Sequence, residues 1–223
     1  MARTPDPHLR ERLIAAATAD FAALGYTGAT LDGIAARAGV TKGGVYFHFD
    51  GKEELFFAVL DHWRDRRRRL LQVPTPGAGG AAAALRVFVG GYLGFHFREP
   101  AATHLLRVFA TELRGRFTAR LREDDRQEQR WLRANLRELL VLGVRDGTLE
   151  AEDPALTAFL LAAALRGVLE QWQTSAADVE TYCQEDQIAR LLVARYATGS
   201  GGAGSAGERA DGDEFDFRPR ADA

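Results

Sequence analysis

The sequence predicts an all-α protein, and three observations predict it. Apolar residues recur at helical spacing through most of the chain, the intervals between these segments hold helix-capping and helix-stopping residues, and no segment alternates apolar and polar residues between turn signals. The architecture expected is a small N-terminal helix-turn-helix domain followed by a larger C-terminal helical domain. At 223 residues, with 46% hydrophobic and 27% charged residues, the chain has ample material for a core.

Asp6-Pro7 opens the first helix, with an acceptor side chain at the cap and a proline where no donor is needed. Leu9, Leu13, Ala17, Phe21 and Leu24 form its apolar side, and Gly25 is its stop. Thr30 caps a second helix carrying Leu31, Ile34, Ala35 and Ala38 on one face, and Gly39 ends it. A third helix follows at once, capped by Thr41. Two helices joined by so tight a turn are the geometry in which one helix lies in the DNA major groove and the other braces it. Asp50 and Glu53 form a capping box for a fourth helix reaching about Leu71, with Leu55, Phe56, Val59, Leu60 and Trp63 on its apolar side. "QVPTPGAGG" is a connector. Longer helical patterns follow at roughly 81–97, 101–114, 117–145, 154–174 and 178–196, and Asp153-Pro154 repeats the opening device of the first helix.

The stretch "GVTKGGVYFHFDGKE" at 39–53 is unusual for a helical core. Its Lys42 and Lys52 are the only lysines of the chain, whose arginine and alanine excess has the character of a G+C-rich coding bias. The residue types suit a groove. Gly43 and Gly44 permit close approach of backbone to bases at about 1 kcal/mol each in helix propensity. The Thr41-capped N-terminus suits a phosphate. Lys42 offers a mobile charge for phosphate or guanine, and Tyr46 and His48 can hydrogen-bond phosphate. Val45 and Phe49 are placed to hold the helix on the first two.

"ATLDGIAARAGVTKGGVYFHFDGKEELFFAVL" closely resembles the helix-turn-helix of the TetR family of bacterial transcriptional repressors, in its Thr-capped "IAARAGV", its "TKG.VYFHF" and its "KEEL". The resemblance is specific over about residues 8–62. It implies phosphate contacts by Thr30, Thr41, Tyr46, His48 and Lys52, and base-edge contacts by Lys42 and Gly43. Gly44, also counted among the DNA-facing residues, stands where the family more often has a side chain, so the resemblance implies a weaker base contact there and a broader sequence tolerance.

The same resemblance divides the chain into a DNA-binding domain, 1–51, and a helical ligand-binding and dimerisation domain, 52–196, followed by an acidic Gly/Ser-rich tail, 197–223, read as disordered because it has no helical or strand period. The tail holds six acidic and three basic residues, and its "DEFDF" is either a solvated segment or a short interaction motif. Small residues (Ala158, Ala162, Ala163, Ala164, Gly167) between Leu161, Leu165, Leu169 and Trp172, together with Leu192 in "IARLLVARY", are the dimer candidates. Phe88, Tyr92, His96, His104, Trp131, Asn135 and Phe159 are the ligand candidates, joined by Leu85, Phe95 and Phe109 in the same apolar pattern. The supply of aromatics favours a small apolar or aromatic effector. The partners implied are double-stranded DNA as a palindromic operator, a second copy of the chain and that effector, which would release a repressor from DNA. The alternative is a DNA-binding regulator without small-molecule input, controlled by a protein partner or acting as an activator.

Other classes are disfavoured. The sequence holds no G-x-S-x-G, H-E-x-x-H, P-loop or dinucleotide fingerprint, so no enzyme and no cofactor is expected. The single Cys183 excludes an intrachain disulfide, reads as a buried small residue, and has no clustered partner for a metal. No apolar run of about 18 residues and no signal peptide is present, so the expected location is cytoplasmic, without a membrane partner. "RDRRRRLL" at 64–71 is read first as a solvated helix end whose cations suit the dipole, and second as long-range attraction for DNA.

Overall fold

The computed structural model describes residues 8–112, 117–174 and 184–198, and these form nine helices. They are α1 (Leu9–Gly28), α2 (Leu31–Arg37), α3 (Lys42–Tyr46), α4 (Lys52–Leu70), α5 (Gly80–Arg98), α6 (Pro100–Glu112), α7 (Thr118–Asp146), α8 (Pro154–Thr174) and α9 (Glu185–Ala194). The only strand-like feature among the described residues is one antiparallel bridge, Leu149 to Ala197. The cap expected at Asp6-Pro7, the helical pattern at 178–183, Cys183 and the tail beyond Thr198 lie outside the described residues. Ala197 and Thr198, the first two residues of the expected tail, are tied down: Thr198 donates its N–H to Thr148 O at 3.0 Å and its hydroxyl to Gly147 O at 2.7 Å.

Helix α1 breaks at Gly25, whose φ of 68° lies in the left-handed region that glycine enters without penalty. The break turns Tyr26 inward and leaves Leu24 exposed, so Leu24 does not share the buried side of α1 expected for it. Tyr26 then joins Phe21, Phe56, Phe57 and Phe117 in a ring cluster with centroids 5.1–6.0 Å apart. This cluster, with Leu13, Ile34, Val45, Phe49, Leu55 and Leu60, is the core beneath the first three helices. Leu105 and Leu121 close it from α6 and α7.

The start of α4 differs in register from the expected capping box. Gly51 occupies the cap position, and Glu54, one residue later than Glu53, accepts the N–H of Asp50. The end of α4 differs more. Arg64 and Arg67 are buried against α7, where Arg64 pairs with Asp124 at 3.0 Å and Arg67 with Glu128. Arg68 reaches Glu128 at 2.5 Å and Arg66 reaches Glu99 at 3.0 Å. The arginine run therefore joins helices, and the reading of it as a solvated end is corrected. The i, i+3 spacing of Arg64 and Arg67 matches the i, i+4 spacing of Asp124 and Glu128, which lets two helices pair row against row.

A second core holds Leu85, Phe88, Leu93, Leu136, Leu140, Leu165, Leu169 and Val193 between α5, α7, α8 and α9. Gly147, with φ 75°, ends α7, and Asp153 opens α8 by accepting the N–H of Ala155 and Leu156 at 2.8 and 3.1 Å, as its sequence predicts.

Candidate nucleic-acid interface and the cavity behind it

Each of the two short helices starts on a threonine cap. Thr30 Oγ1 accepts the N–H of Gly33 at 3.1 Å and Thr41 Oγ1 that of Gly44 at 3.4 Å. Gly39, with φ 69°, makes the turn between them. Val45 and Phe49 anchor α3 in the core, which leaves Thr41, Lys42 and Gly43 facing outward. Arg37 pairs with the buried Asp20 at 2.6 Å and locks α2 onto α1.

Lys42 is exposed and its ammonium donates to Asp32 of α2 at 2.9 Å, a bond that raises its pKa above the ordinary lysine value. Tyr46 is 50% exposed and Phe47 78%, an unusual display for two large rings beside a five-residue helix. His48 is half-buried, with its ring 5.1 Å from that of Phe47. Phe47 was not singled out in the sequence; its signal was the pattern Val45-in, Phe49-in, which on a helix turns position 47 outward. Lys52 sits differently from the other candidates. Its ammonium donates to Ala29 O at 2.9 Å and lies 4.7 Å from the centre of the Tyr26 ring, so it secures the junction of α1 and α2.

Neither glycine of α3 is required by packing inside the chain. A Cβ on Gly43 would come no nearer than 3.8 Å to its surroundings, and one on Gly44 no nearer than 3.5 Å, both ordinary contacts. Gly43 is exposed, and Gly44 is half-buried beside Val40.

Behind the head, α4, α5, α6, α7 and α8 enclose a cavity of about 90 Å³. Of the ligand candidates, Tyr92 and His96 line it. Phe88 and Trp131 pack on one another beside it with centroids 6.1 Å apart, and Asn135 donates to Trp131 O at 2.7 Å. His104 is half-buried on α6 outside the lining, and the side chain of Phe109 lies outside the described residues. Phe159 is 51% exposed on the outer face of α8, away from the cavity, because its neighbours Ala158 and Leu161 take the inner face. Charged residues missed in the sequence complete the lining: Arg64, Arg67, Asp125, Glu128 and Arg166. Burial pushes the Arg67 guanidinium below its ordinary value. Its Nη1 donates toward His96 Nε2 at 3.5 Å. Thr103 donates its hydroxyl to His96 O at 2.9 Å, so the 2.9 Å contact of the same hydroxyl with Nδ1 has the ring as donor.

The dimer candidates do not share one exposed face. Leu161, Leu165 and Leu169 are buried in the second core against α7, and Trp172 packs its ring on Phe97 at 5.2 Å. Leu192 is half-buried against the same core. The face that α8 turns to solvent holds Leu156, Phe159, Leu160, Ala163 and Gly167, with Leu191 exposed on α9.

The described residues thus form a helix-turn-helix head carried by a helical body with a cavity behind it. Residues 13–59 match the model of the bacterial regulatory proteins of the tetR family. SrpR, a helix-turn-helix transcriptional regulator of Pseudomonas putida, is 57% identical over 51 residues, 23% of this chain and 24% of SrpR. FasR, a transcriptional activator of Mycolicibacterium smegmatis, is 38% identical over 90 residues, 39% of this chain and 41% of FasR. The chain thus matches less than half the length of either relative. The likeness of fold extends further. SmeT, the repressor of the Stenotrophomonas maltophilia multidrug efflux pump SmeDEF, has a TM-score of 0.68 at 22% identity over 91% of this chain and 97% of SmeT. Residues 13–59 are thus similar to the helix-turn-helix head of the tetR family, and the fold of the chain as a whole is similar to that of SmeT. No described helix is long and apolar enough to cross a membrane, and no described group of His, Cys, Asp and Glu is placed to hold a metal.

Proposed function

We propose that the protein is a transcriptional repressor that binds a palindromic operator in double-stranded DNA as a homodimer and is released by a small apolar or aromatic effector. The observation that carries the DNA half is the outward face of α3. Two glycines with room for a side chain stand beside an exposed lysine, an exposed tyrosine and a threonine cap, on a helix anchored from behind by Val45 and Phe49. A packed helix gains nothing from such glycines; a helix that presses its backbone on base edges does. Thr30, Thr41, Tyr46, His48 and Lys52 take phosphate roles in this reading, and Lys42, Gly43 and Gly44 face the bases. The head is residues 1–51 and the body 52–196.

The apolar outer face of α8 with α9 is the surface on which a second copy would pack, setting two recognition helices about 34–36 Å apart. The cavity lies against α4, which joins head to body, so an effector that favours one setting of α4 changes the spacing of the two heads. SmeT, of the same fold, has been solved in complex with triclosan. The second reading, regulation without a small molecule, draws on the modest cavity of about 90 Å³, below the roughly 300–1,000 Å³ of ordinary ligand pockets.

Selection of a randomised duplex with the full chain tests the proposal, with Lys42→Ala and Tyr46→Ala beside it. An enriched palindrome weakened in both variants is the expected result. Absence of enrichment at low salt, where phosphate contacts are strongest, would overturn it.

A further inference from the structure

Three arginines of one helical turn and a half, Arg64, Arg67 and Arg68, meet α7 where the cavity lies. Their charges do not balance evenly. Arg64 has two carboxylates, Asp61 and Asp124, at 3.1 and 3.0 Å. Arg67 and Arg68 share a single one, Glu128. That trio holds one more cation than anion, with Arg67 buried. Donors are in surplus as well. The Nε–H groups of Arg64, Arg67 and Arg68 are buried without an acceptor among the described residues. Glu128 Oε2 meets Arg67 as an ion pair. Buried guanidinium donors left unmatched are unfavourable, and a buried charge short of a partner more so.

Leu60, Leu105, Leu106 and Leu121 form an apolar part of the cavity wall with the Tyr92 ring, beside His96 and Gln129. An apolar wall beside surplus cationic donors is complementary to one class of molecule. We propose that the effector is an amphiphilic monocarboxylate, its carboxylate taken by Arg67 and its apolar part laid on these leucines, and that Glu128 is the internal carboxylate it displaces. Glu128 keeps Arg68 when Arg67 is taken, so the exchange strands no anion. A cationic effector fits worse. It would enter beside three arginines, and the acidic residues of the lining, Glu128 and Asp125, already face Arg67 and Arg166. At about 90 Å³ the cavity is smaller than the roughly 150 Å³ void that holds benzene, so even a six-carbon acid requires α4 or α6 to yield. Arg67 lies on α4, so the exchange acts on the helix that joins head to body.

This inference rests on the reading of the body as an effector-binding unit and deepens it. The test is calorimetric titration of the full chain with hexanoate and benzoate, against hexanamide and hexylamine at the same pH and salt. The acids are expected to bind about tenfold or more tightly than the amide and the amine. Arg67→Met is expected to lose that preference, and Glu128→Gln, which removes the internal competitor, to tighten the acids by about tenfold. The inference is overturned if the amide or amine binds as well as the acids, if none of the four binds, or if Glu128→Gln weakens the acids. Should Arg67→Met fail to fold by circular dichroism, the wild-type panel and Glu128→Gln decide alone. Operator binding, measured separately on the same preparations, distinguishes the two failures: DNA binding without acid preference removes the carboxylate assignment only, and no DNA binding removes the repressor reading.

Discussion

Trp63 of α4 donates its indole N–H to the hydroxyl of Thr18 on α1 at 2.9 Å, and Thr18 in turn donates to Ile14 O at 2.7 Å. Both side chains are buried, so the joint between the head and the helix leading to the body is a hydrogen bond with no water to replace it. Thr18→Val keeps the shape and removes the acceptor, leaving the indole N–H unmatched. The expected cost is about 1–3 kcal/mol of stability, read from the denaturant midpoint. Trp63→Phe removes the donor instead and is expected to cost less than the valine substitution in hydrogen bonding, since the threonine hydroxyl keeps its bond to Ile14 O. Equal stability of Thr18→Val and wild type would show that the joint carries nothing.

Lys42 is held by Asp32 in the free protein, and both side chains are well exposed. On DNA the ammonium would exchange that carboxylate for a phosphate or a base edge. Asp32→Asn therefore releases Lys42 and removes a negative charge from the binding face; tighter operator binding is expected, with a steeper salt dependence. Lys42→Ala is expected to weaken binding and to reduce the slope of log K against log salt by about 1. Titrations of operator duplex by fluorescence anisotropy at several salt concentrations give both numbers. An unchanged slope in Lys42→Ala would place this lysine away from phosphate.

The helices and the head were legible in the sequence because their signals are local. Thr30 and Thr41 announce caps, Gly39 announces a left-handed turn, and the 3.6-residue period of Leu55, Phe56, Val59 and Leu60 marks one face. What escaped depends on which helix lies opposite. Both sides of α8 are apolar, one through Leu161, Leu165 and Leu169 and the other through Leu156, Phe159 and Leu160. Only the position of α7 decides which side is core. The arginine run was misread for the same reason: its partners Asp124 and Glu128 stand about 60 residues further along, and Arg64 and Arg67 are buried only because α7 supplies them. The displacement of the capping carboxylate from Glu53 to Glu54 is a smaller error of the same kind, set by the extended backbone of Gly51.

The two faces of α8 predict different outcomes. Leu160→Glu places a charge on the outer face, where it is solvated in a monomer and buried in a dimer. It is expected to leave the melting temperature of the monomer fold nearly unchanged and to shift the sedimentation coefficient from dimer to monomer. Leu165→Ala empties core volume instead and is expected to cost about 2–5 kcal/mol, with the association state kept at protein concentrations where the fold persists. Dimers of undiminished stability in Leu160→Glu would mean that a different surface joins the two copies.

Gly43 and Gly44 separate folding from DNA binding. Glycine in a helix is unfavourable against alanine by about 1 kcal/mol, partly through the freedom of the unfolded chain. At both positions the backbone has negative φ and a new methyl group would meet only ordinary contacts, with Thr41 Oγ1 at 3.8 Å from Gly43 and Val40 Cβ at 3.5 Å from Gly44. Gly43→Ala and Gly44→Ala are therefore expected to raise stability by about 0.4–1 kcal/mol. If these glycines serve the approach of α3 to base edges, the same methyl groups would stand between backbone and DNA, and operator affinity would fall, most at Gly43, which faces outward. Stability from chemical denaturation and affinity from anisotropy would then move in opposite directions. A gain in stability with no loss of affinity at either position would show that the face of α3 bearing the glycines does not touch DNA, and would pass the recognition role to the exposed rings of Tyr46 and Phe47.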